Sequence, residues 1–170
     1  MALNKKQTEG SEFAIGEARA RDMFDQTKDL AKHDLEYTNP LMPHLTLLST
    51  SLTPTPRCIF LYTVQQEHTN RVNTLHGGCI ATLFDYCTSV VICLVSKPGF
   101  WEFVGVSRTL NTTYLRPAEV GAEVEIVCEL VAIGRQLCQL RGTMRRRGEE
   151  GEVFATCEHG KFNMDSRGKL

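Results

Sequence analysis

The chain has 170 residues, 42% of them hydrophobic and 23% charged, and its 19 basic and 20 acidic side chains give a net charge of −1. This length fits one domain, and the apolar content is sufficient for a buried core. The balanced charge argues against nucleic acid or a membrane surface as the main partner. The longest apolar run, residues 90–95, is far shorter than the about 20 residues that span a bilayer.

The seven cysteines are odd in number and scattered, and no Cys-x-x-Cys pair is present. This pattern disfavours metal and redox chemistry and predicts reduced core thiols. Residues 1–24 have no apolar signal region, and their mixed charges fit a mitochondrial transit peptide poorly. We therefore expect an intracellular protein, in the cytoplasm or the mitochondrion, without a membrane span.

Residues 1–56 are predicted to be an N-terminal extension. We expect disorder over residues 1–10 and an amphipathic helix over about residues 11–34. Four prolines between positions 37 and 56 indicate an extended connection with a short strand at residues 45–49. The main domain is predicted over residues 57–165, with a tail at 166–170.

The main domain alternates one helix with several strands. A strand is predicted at residues 57–64 and a long helix at about 78–96, because its apolar residues recur at helical spacing. Alternating patterns and turn residues then predict strands at 104–114, 123–133, 136–147 and 152–164. The helix is apolar almost all round in its second half, so it needs to be covered. We predict an α+β fold in which a curved antiparallel sheet of five to six strands wraps around this helix.

The most informative residues stand at the start of that helix. His76-Gly77-Gly78 precede it, and Asp85 lies two turns inside it. Glycine N–H groups at a helix start can stabilise an oxyanion, although a plain helix entry also uses glycine. A carboxylate in an apolar helix is either part of a structural ion pair or a base or nucleophile tuned by desolvation. The glycines at the helix start and the Asp85 carboxylate together indicate a site for acyl transfer.

The spacing of Gly77 and Asp85 adds a constraint. The two residues are eight positions apart, which is about 12 Å along a helix axis. They cannot both contact one carbonyl group from the same helix. If both act on one substrate, a second copy of the helix supplies one of them, and catalysis requires at least a dimer. Polar groups are also expected near this site, from Asn70, His76 and Ser107. Each is ordinary where it stands, however: asparagine in a turn, histidine at a helix start and serine in a strand.

Residues 67–161 resemble the hotdog-fold acyl-CoA thioesterases, in the group that includes thioesterase superfamily member 2 and phenylacetate-pathway proteins. The resemblance rests on the ordered set His68-Thr69-Asn70, Thr74-Leu75-His76-Gly77-Gly78, Ala81-Thr82-Leu83-Phe84-Asp85, Val106-Ser107, Asn111 to Tyr114 and Pro117-Ala118. It implies edge-to-edge dimers that usually form tetramers, with each site shared between two subunits. It also implies hydrolysis of a fatty or aryl acyl-CoA without a metal or separate cofactor, since coenzyme A is part of the substrate.

The resemblance assigns a role to each site residue. Asp85 takes the place of the catalytic carboxylate, as general base or nucleophile, and Gly77 that of the oxyanion donor. Asn70 corresponds to the residue that holds the attacking water or the thioester, and Ser107 to the one that helps Asp85 place water. His76 supports the geometry of the helix start.

The same resemblance predicts where coenzyme A lies. It would follow the surface near Thr109, Tyr114 and Lys161, along the turn formed by Ala132, Ile133, Gly134, Arg135, Gln136 and Leu137. Arg135 is expected to meet a phosphate, because a guanidinium gives bidentate contacts. The run Arg145-Arg146-Arg147 could also attract the nucleotide, or could simply be a solvated strand end.

Two other functions remain open at this stage. One is a non-catalytic acyl-CoA-binding or scaffold protein that keeps the fold. The other is a hotdog dehydratase, which calls for a histidine paired with the helix carboxylate, and the helix body here contains no histidine. Residues 1–56 and the aromatic run Phe100-Trp101-Glu102-Phe103 depart from the family pattern and could shape the acyl pocket.

Overall fold

The computed structural model describes residues 2–33, 37–148 and 152–165, with only the backbone for residues 2–10 and Glu12. The predicted tail, residues 166–170, lies outside this part of the chain. In chain order the elements are α1 (Ala2–Ala31), β1 (Leu45–Ser51), β2 (Arg57–Thr63), α2 (Gly77–Ile92), β3 (Val106–Tyr114), β4 (Glu123–Ile133), β5 (Leu137–Arg146) and β6 (Val153–Phe162). Single 3₁₀ turns lie at Met42–His44 and Gln66–His68.

The six strands form one antiparallel sheet in the order β1-β2-β4-β5-β6-β3. Inward and outward positions alternate in β2 and β4, as the sequence pattern predicts. The inward side chains pack on α2, which buries Ile80, Leu83, Phe84 and Cys87. This is the predicted α+β arrangement of a curved sheet around a long helix. No helix among the described residues is both long and apolar enough to cross a membrane.

Gly142 of β5 lies at a close approach between the sheet and α2. A Cβ atom at this position would lie 2.6 Å from the Phe84 ring and 2.8 Å from the Cys157 sulfur. Both neighbours are buried in the core. Glycine in a strand interior is unfavourable by itself, so its presence here is explained by this close packing.

The predicted helix in the extension is present but begins earlier than predicted. α1 starts at Ala2, so the prediction of disorder over residues 1–10 is wrong for the nine described positions of that segment. Alanine, leucine, lysine, glutamine and glutamate dominate the segment, and all of them favour helix. Gly16 lets α1 lie directly against the backbone of Leu94, and the Arg19 guanidinium donates to the Ser96 carbonyl.

α2 ends at Ile92 rather than near Ser96. Beyond it, Leu94 and Val95 donate to the carbonyls three residues earlier, at 3.1 and 3.0 Å. Such bonds tighten the last turn of a helix. The apolar pattern continues because these residues stay buried or half-buried, although they are no longer in regular helix.

All seven cysteines are free, and six of them are buried, which confirms the prediction of reduced core thiols. Burial raises the pKa of the Cys58, Cys87 and Cys128 thiols. They therefore behave as small hydrophobic side chains rather than as nucleophiles.

Candidate active site

Asp85 lies at the edge of α2, where the helix borders an open groove. Its side chain is 50% exposed in the single chain. The expectation that Asp85 is buried in an apolar helix is therefore wrong for the single chain. The reason is helical geometry, because the apolar stripe of α2 turns toward the sheet and leaves Asp85 beside it. The Ser107 hydroxyl donates to Asp85 Oδ1 at 2.6 Å. The structure thus brings together two of the predicted catalytic residues.

A β-bulge in β3 makes this contact possible. The pairing with β6 shifts between Ser107 and Thr109, which leaves Arg108 as the extra residue. Ser107 and Leu110, three positions apart, therefore both face α2. A regular alternation would have put them on opposite faces, as the sequence pattern implied.

His159 of β6 completes this cluster, and the sequence reasoning missed it. The imidazole is fully buried, with Nε2 at 2.9 Å from Ser107 Oγ and 3.3 Å from Asp85 Oδ1. Its Nδ1 lies 2.6 Å from Thr88 Oγ1. Ser107 donates its proton to Asp85, and the Thr88 hydroxyl also donates to the Phe84 carbonyl, at 2.6 Å. A chain of hydrogen bonds therefore links Thr88, His159, Ser107 and the carboxylate.

The charge state of His159 follows from its surroundings. Burial and the nearby Lys161 ammonium lower the pKa of His159 to about 4, although the Asp85 carboxylate opposes the shift. The ring is therefore neutral at physiological pH. A neutral imidazole donates one hydrogen bond and accepts one.

We expect acid to destabilise the fold through His159. Between the unperturbed pKa of about 6.5 and the folded-state pKa of about 4, the unfolded chain binds a proton that the folded chain does not. Stability is therefore complete above about pH 6.5 and falls as the pH is lowered, with a slope of up to ~1.4 kcal/mol per pH unit. Urea unfolding across this range measures the slope. It should flatten in His159→Gln and persist in His33→Gln, an exposed control; an unaltered slope in His159→Gln contradicts the assignment.

Lys161 is the second buried polar residue behind Asp85. The resemblance placed it at the surface beside coenzyme A, but the residue is 4% exposed and its Nζ donates to Ser89 Oγ at 2.5 Å. Its expected surface position is wrong, because residue 161 faces the helix rather than the solvent. Burial lowers the pKa of Lys161, and the charge of Asp85 opposes that shift. Ser89 in turn donates to the Asp85 carbonyl at 2.7 Å.

The start of α2 has an open N–H group. His76 caps the helix, with its Nδ1 accepting from the Gly78 N–H at 3.0 Å. Among the described residues, no acceptor pairs with the Gly77 N–H, which is free to bind an external oxygen. Gly77 and Asp85 lie on one continuous helix, so they are about two turns apart, as the sequence predicts.

Asn70 and Tyr114 hold the surroundings of the helix start. The Asn70 Oδ1 accepts from the backbone of Val72 and Thr74, at 3.0 and 3.2 Å, and its Nδ2 donates to the Thr74 hydroxyl. Its amide thus shapes the loop before the helix. The Tyr114 hydroxyl donates to the Gly77 carbonyl at 3.0 Å, so this residue touches the predicted oxyanion site rather than only the coenzyme surface.

The turn at residues 132–137, where coenzyme A is predicted to bind, is exposed, and hydrogen bonds hold its backbone in place. Trp101 Nε1 donates to the Gly134 carbonyl at 2.8 Å, and Asn163 Nδ2 donates to the Arg135 carbonyl at 3.1 Å. The Arg135 side chain is exposed to solvent. Thr109 also lies on the outer face of the sheet, against Gly160. The rest of the turn is exposed or half-buried, at Ala132, Ile133, Gln136 and Leu137.

The arginine run at the end of β5 is engaged in ion pairs. Arg145 pairs with Glu125 at 2.9 Å and Arg147 with Glu123 at 3.0 Å. Arg146 pairs with Glu152. These carboxylates neutralise the run, which favours the solvated strand end over an anion-binding patch.

The fold and the cluster around Asp85 together define a hotdog-fold protein with a carboxylate site on its central helix. The sequence model of the Thioesterase superfamily matches residues 72–153. Over these residues the chain is similar to the thioesterase superfamily.

Curated relatives agree with this assignment. Acyl-coenzyme A thioesterase 13 of Homo sapiens is 35% identical over 98 residues, which cover 58% of this chain and 66% of the relative. The Mus musculus protein of the same name is 35% identical over 74 residues, covering 44% of this chain and 50% of the relative. The matches thus span between half and about two thirds of the relatives' length.

Solved structures extend the likeness over nearly the whole fold. The zebra fish thioesterase superfamily member 2 has a TM-score of 0.68 and 26% identity, covering 82% of this chain and 97% of its own. The Mus musculus thioesterase superfamily member 2 has a TM-score of 0.67 and 26% identity, with 82% and 96% coverage. The similarity therefore includes much of the extension as well as the hotdog core.

Proposed function

We propose that the protein hydrolyses acyl-CoA thioesters to the free acid and coenzyme A. The observation that carries the proposal is the Asp85 carboxylate, which ends a chain of hydrogen bonds that begins at the buried His159 and opens onto a groove of about 520 Å³. The relatives named acyl-coenzyme A thioesterase 13 support the choice of thioester. The acyl group of the proposed substrate is fatty or aryl.

Hydrolysis proceeds by attack of water on the thioester carbonyl. Asp85 takes a proton from the water, and the resulting hydroxide bonds to the carbonyl carbon. The Gly77 N–H, reinforced by the helix dipole, stabilises the oxyanion that forms. The carbon–sulfur bond then breaks and the sulfur leaves as a thiolate, which takes up the proton. Because thiols have a pKa of about 8.5, this departure needs little help from an acid.

Ser107 and His159 position the base. Ser107 directs its proton at Asp85 Oδ1 and leaves Oδ2 for the water. The two other proposed helpers, Asn70 and His76, act at the helix start. Asn70 holds the loop through its amide and is proposed to hold the thioester or the water, while His76 caps the helix.

Each site combines Gly77 of one chain with Asp85 of another. The separation of about 12 Å along α2 requires this division. An edge strand supports it, since β3 pairs with β6 on one side and has no partner strand on the other within the described residues. Val106 and Tyr114 on that strand are 49% and 53% exposed. Unpaired edges of this length are usually covered. We therefore propose a homodimer, and a homotetramer as the further assembly.

The main rival is an acyl-CoA-binding or scaffold protein without turnover. A dehydratase is not favoured, because His159 is fully buried and both of its ring nitrogens have partners, so it cannot reach a substrate. The test is release of free thiol from short, long and aryl acyl-CoAs, together with coenzyme A binding measured by calorimetry. Hydrolysis of any member of the panel above the buffer rate supports the proposal. Binding without thiol release rejects it in favour of the rival.

A further inference from the structure

Two grooves on the described surface meet at one pair of side chains. The first contains Asp85 and has a volume of about 520 Å³, and the second has a volume of about 470 Å³. Of the residues that the structure describes, only Met23 and Val104 line both grooves. Met23 comes from α1, in the N-terminal extension, and Val104 from the segment between α2 and β3.

We infer that Met23 and Val104 form a constriction between a reactive groove and a distal groove, and that this constriction sets the acyl-chain length the enzyme accepts. The inference rests on the proposed thioesterase function. The occupant is the hydrocarbon end of the acyl group. Asp85 lines the reactive groove and activates the water that attacks the acyl carbonyl carbon, so the rest of the acyl chain extends along this groove. A chain long enough to fill the reactive groove has to pass between these two residues.

Val104 is the fixed side of the constriction. Its φ is +49°, in the left-handed region that β-branched residues rarely adopt. Neighbours hold it there: Trp101 is fully buried and also has a positive φ, and the Val104 N–H donates to the Trp101 carbonyl at 3.2 Å. Gly105 follows with φ +64°, where a side chain would collide with the Phe162 backbone. Backbone strain of this kind concentrates at functional sites.

Met23 is the adaptable side. Its residue is half-buried on α1, and its sulfur lies 3.4 Å from the Cys93 sulfur at the end of α2. An unbranched thioether with three rotatable bonds can change rotamer without moving the backbone. A passing chain therefore meets one rigid wall and one yielding wall.

The distal groove has the chemistry that a hydrocarbon end requires. Cys93, Pro98 and Phe103 give it an apolar lining next to the constriction. Charged side chains, including Arg19 and Lys97, also line it. Apolar atoms thus bury the methylene groups, while the charged groups keep the groove hydrated when no chain is bound.

The test measures kcat/KM over a series of straight-chain acyl-CoAs from short to long. In the wild-type protein each methylene buried in the distal groove should raise kcat/KM about fourfold. In Met23→Trp the constriction is filled, so the ratio of long-chain to short-chain kcat/KM should fall at least about tenfold. Asp25→Trp places the same side chain at an exposed position on the same helix that lines neither groove, and should keep the wild-type ratio.

Val104→Gly is the second variant, because glycine adopts the positive φ freely and the constriction becomes wider. Its long-to-short ratio should rise. A wild-type ratio in folded Met23→Trp overturns the inference, and if that variant does not fold, a wild-type ratio in Val104→Gly overturns it. These outcomes differ from failure of the proposed function, in which the wild-type protein releases no thiol from any chain length.

Discussion

Replacing Asp85 by asparagine is expected to lower kcat for acyl-CoA hydrolysis by about 10²- to 10⁴-fold. The amide keeps the size of the side chain and an oxygen that accepts from Ser107, but it cannot take a proton from water. The fold should be unaffected, since residue 85 is half exposed. Thiol release under saturating substrate measures the loss, and urea unfolding verifies the fold.

Asp25→Asn is the matched control for this variant. Asp25 is an exposed residue on α1, so the same loss of one carboxylate charge occurs away from the site. Its kcat should equal that of the wild-type protein. Wild-type hydrolysis by Asp85→Asn would remove Asp85 from the chemistry, as base and as nucleophile.

Replacing Gly77 by proline is expected to lower kcat by about 10²- to 10³-fold, the usual effect of losing one oxyanion donor. Proline removes the N–H and is well tolerated at the first position of a helix. The preceding residue, His76, already has φ −64° and ψ 135°, the conformation that proline requires before it. The helix should therefore form normally, as circular dichroism can verify.

Gly77→Ala separates the donor from the steric effect of a side chain. A Cβ atom at this position would lie 3.3 Å from the Tyr114 ring, so both variants disturb that contact. Alanine keeps the N–H, and the difference in kcat between the two variants is the contribution of the donor. Equal kcat values for the alanine and proline variants would contradict the oxyanion role.

The architecture was largely predictable because its signals are local. Alternation in β2 and β4 and the apolar stripe of α2 each follow from short-range periodicity, and the structure confirms them. The limits of α1 were harder, because residues 2–10 lack an apolar stripe and helix formation there depends on residue preference alone. A periodic pattern of apolar residues predicts which face of a helix packs against the core. It does not predict where a polar helix begins or ends.

The candidate site was predictable only in part. Asp85 and Ser107 meet as expected, but the bulge that turns Ser107 inward is a feature of strand pairing with β6. His159 and Lys161 lie on the inner face of β6, and only that pairing brings them behind Asp85. Their signal in the sequence was two ionisable residues at alternate positions of a strand that is otherwise buried on that face.

In the proposed dimer, one active site takes Gly77 from one chain and Asp85 from another. Mixing Gly77→Pro and Asp85→Asn chains tests it, since each variant alone should be nearly inactive. After unfolding and joint refolding, half of random dimers contain both variants, and each of these has one site in which both residues are intact.

The measurement is the rate of thiol release by the refolded mixture at equal amounts of the two chains. A shared site predicts recovery of about a quarter of the wild-type rate, because half of the dimers have one of their two sites restored. A mixture no more active than its two components, with mixed dimers demonstrated by differently tagged chains, would contradict the shared site.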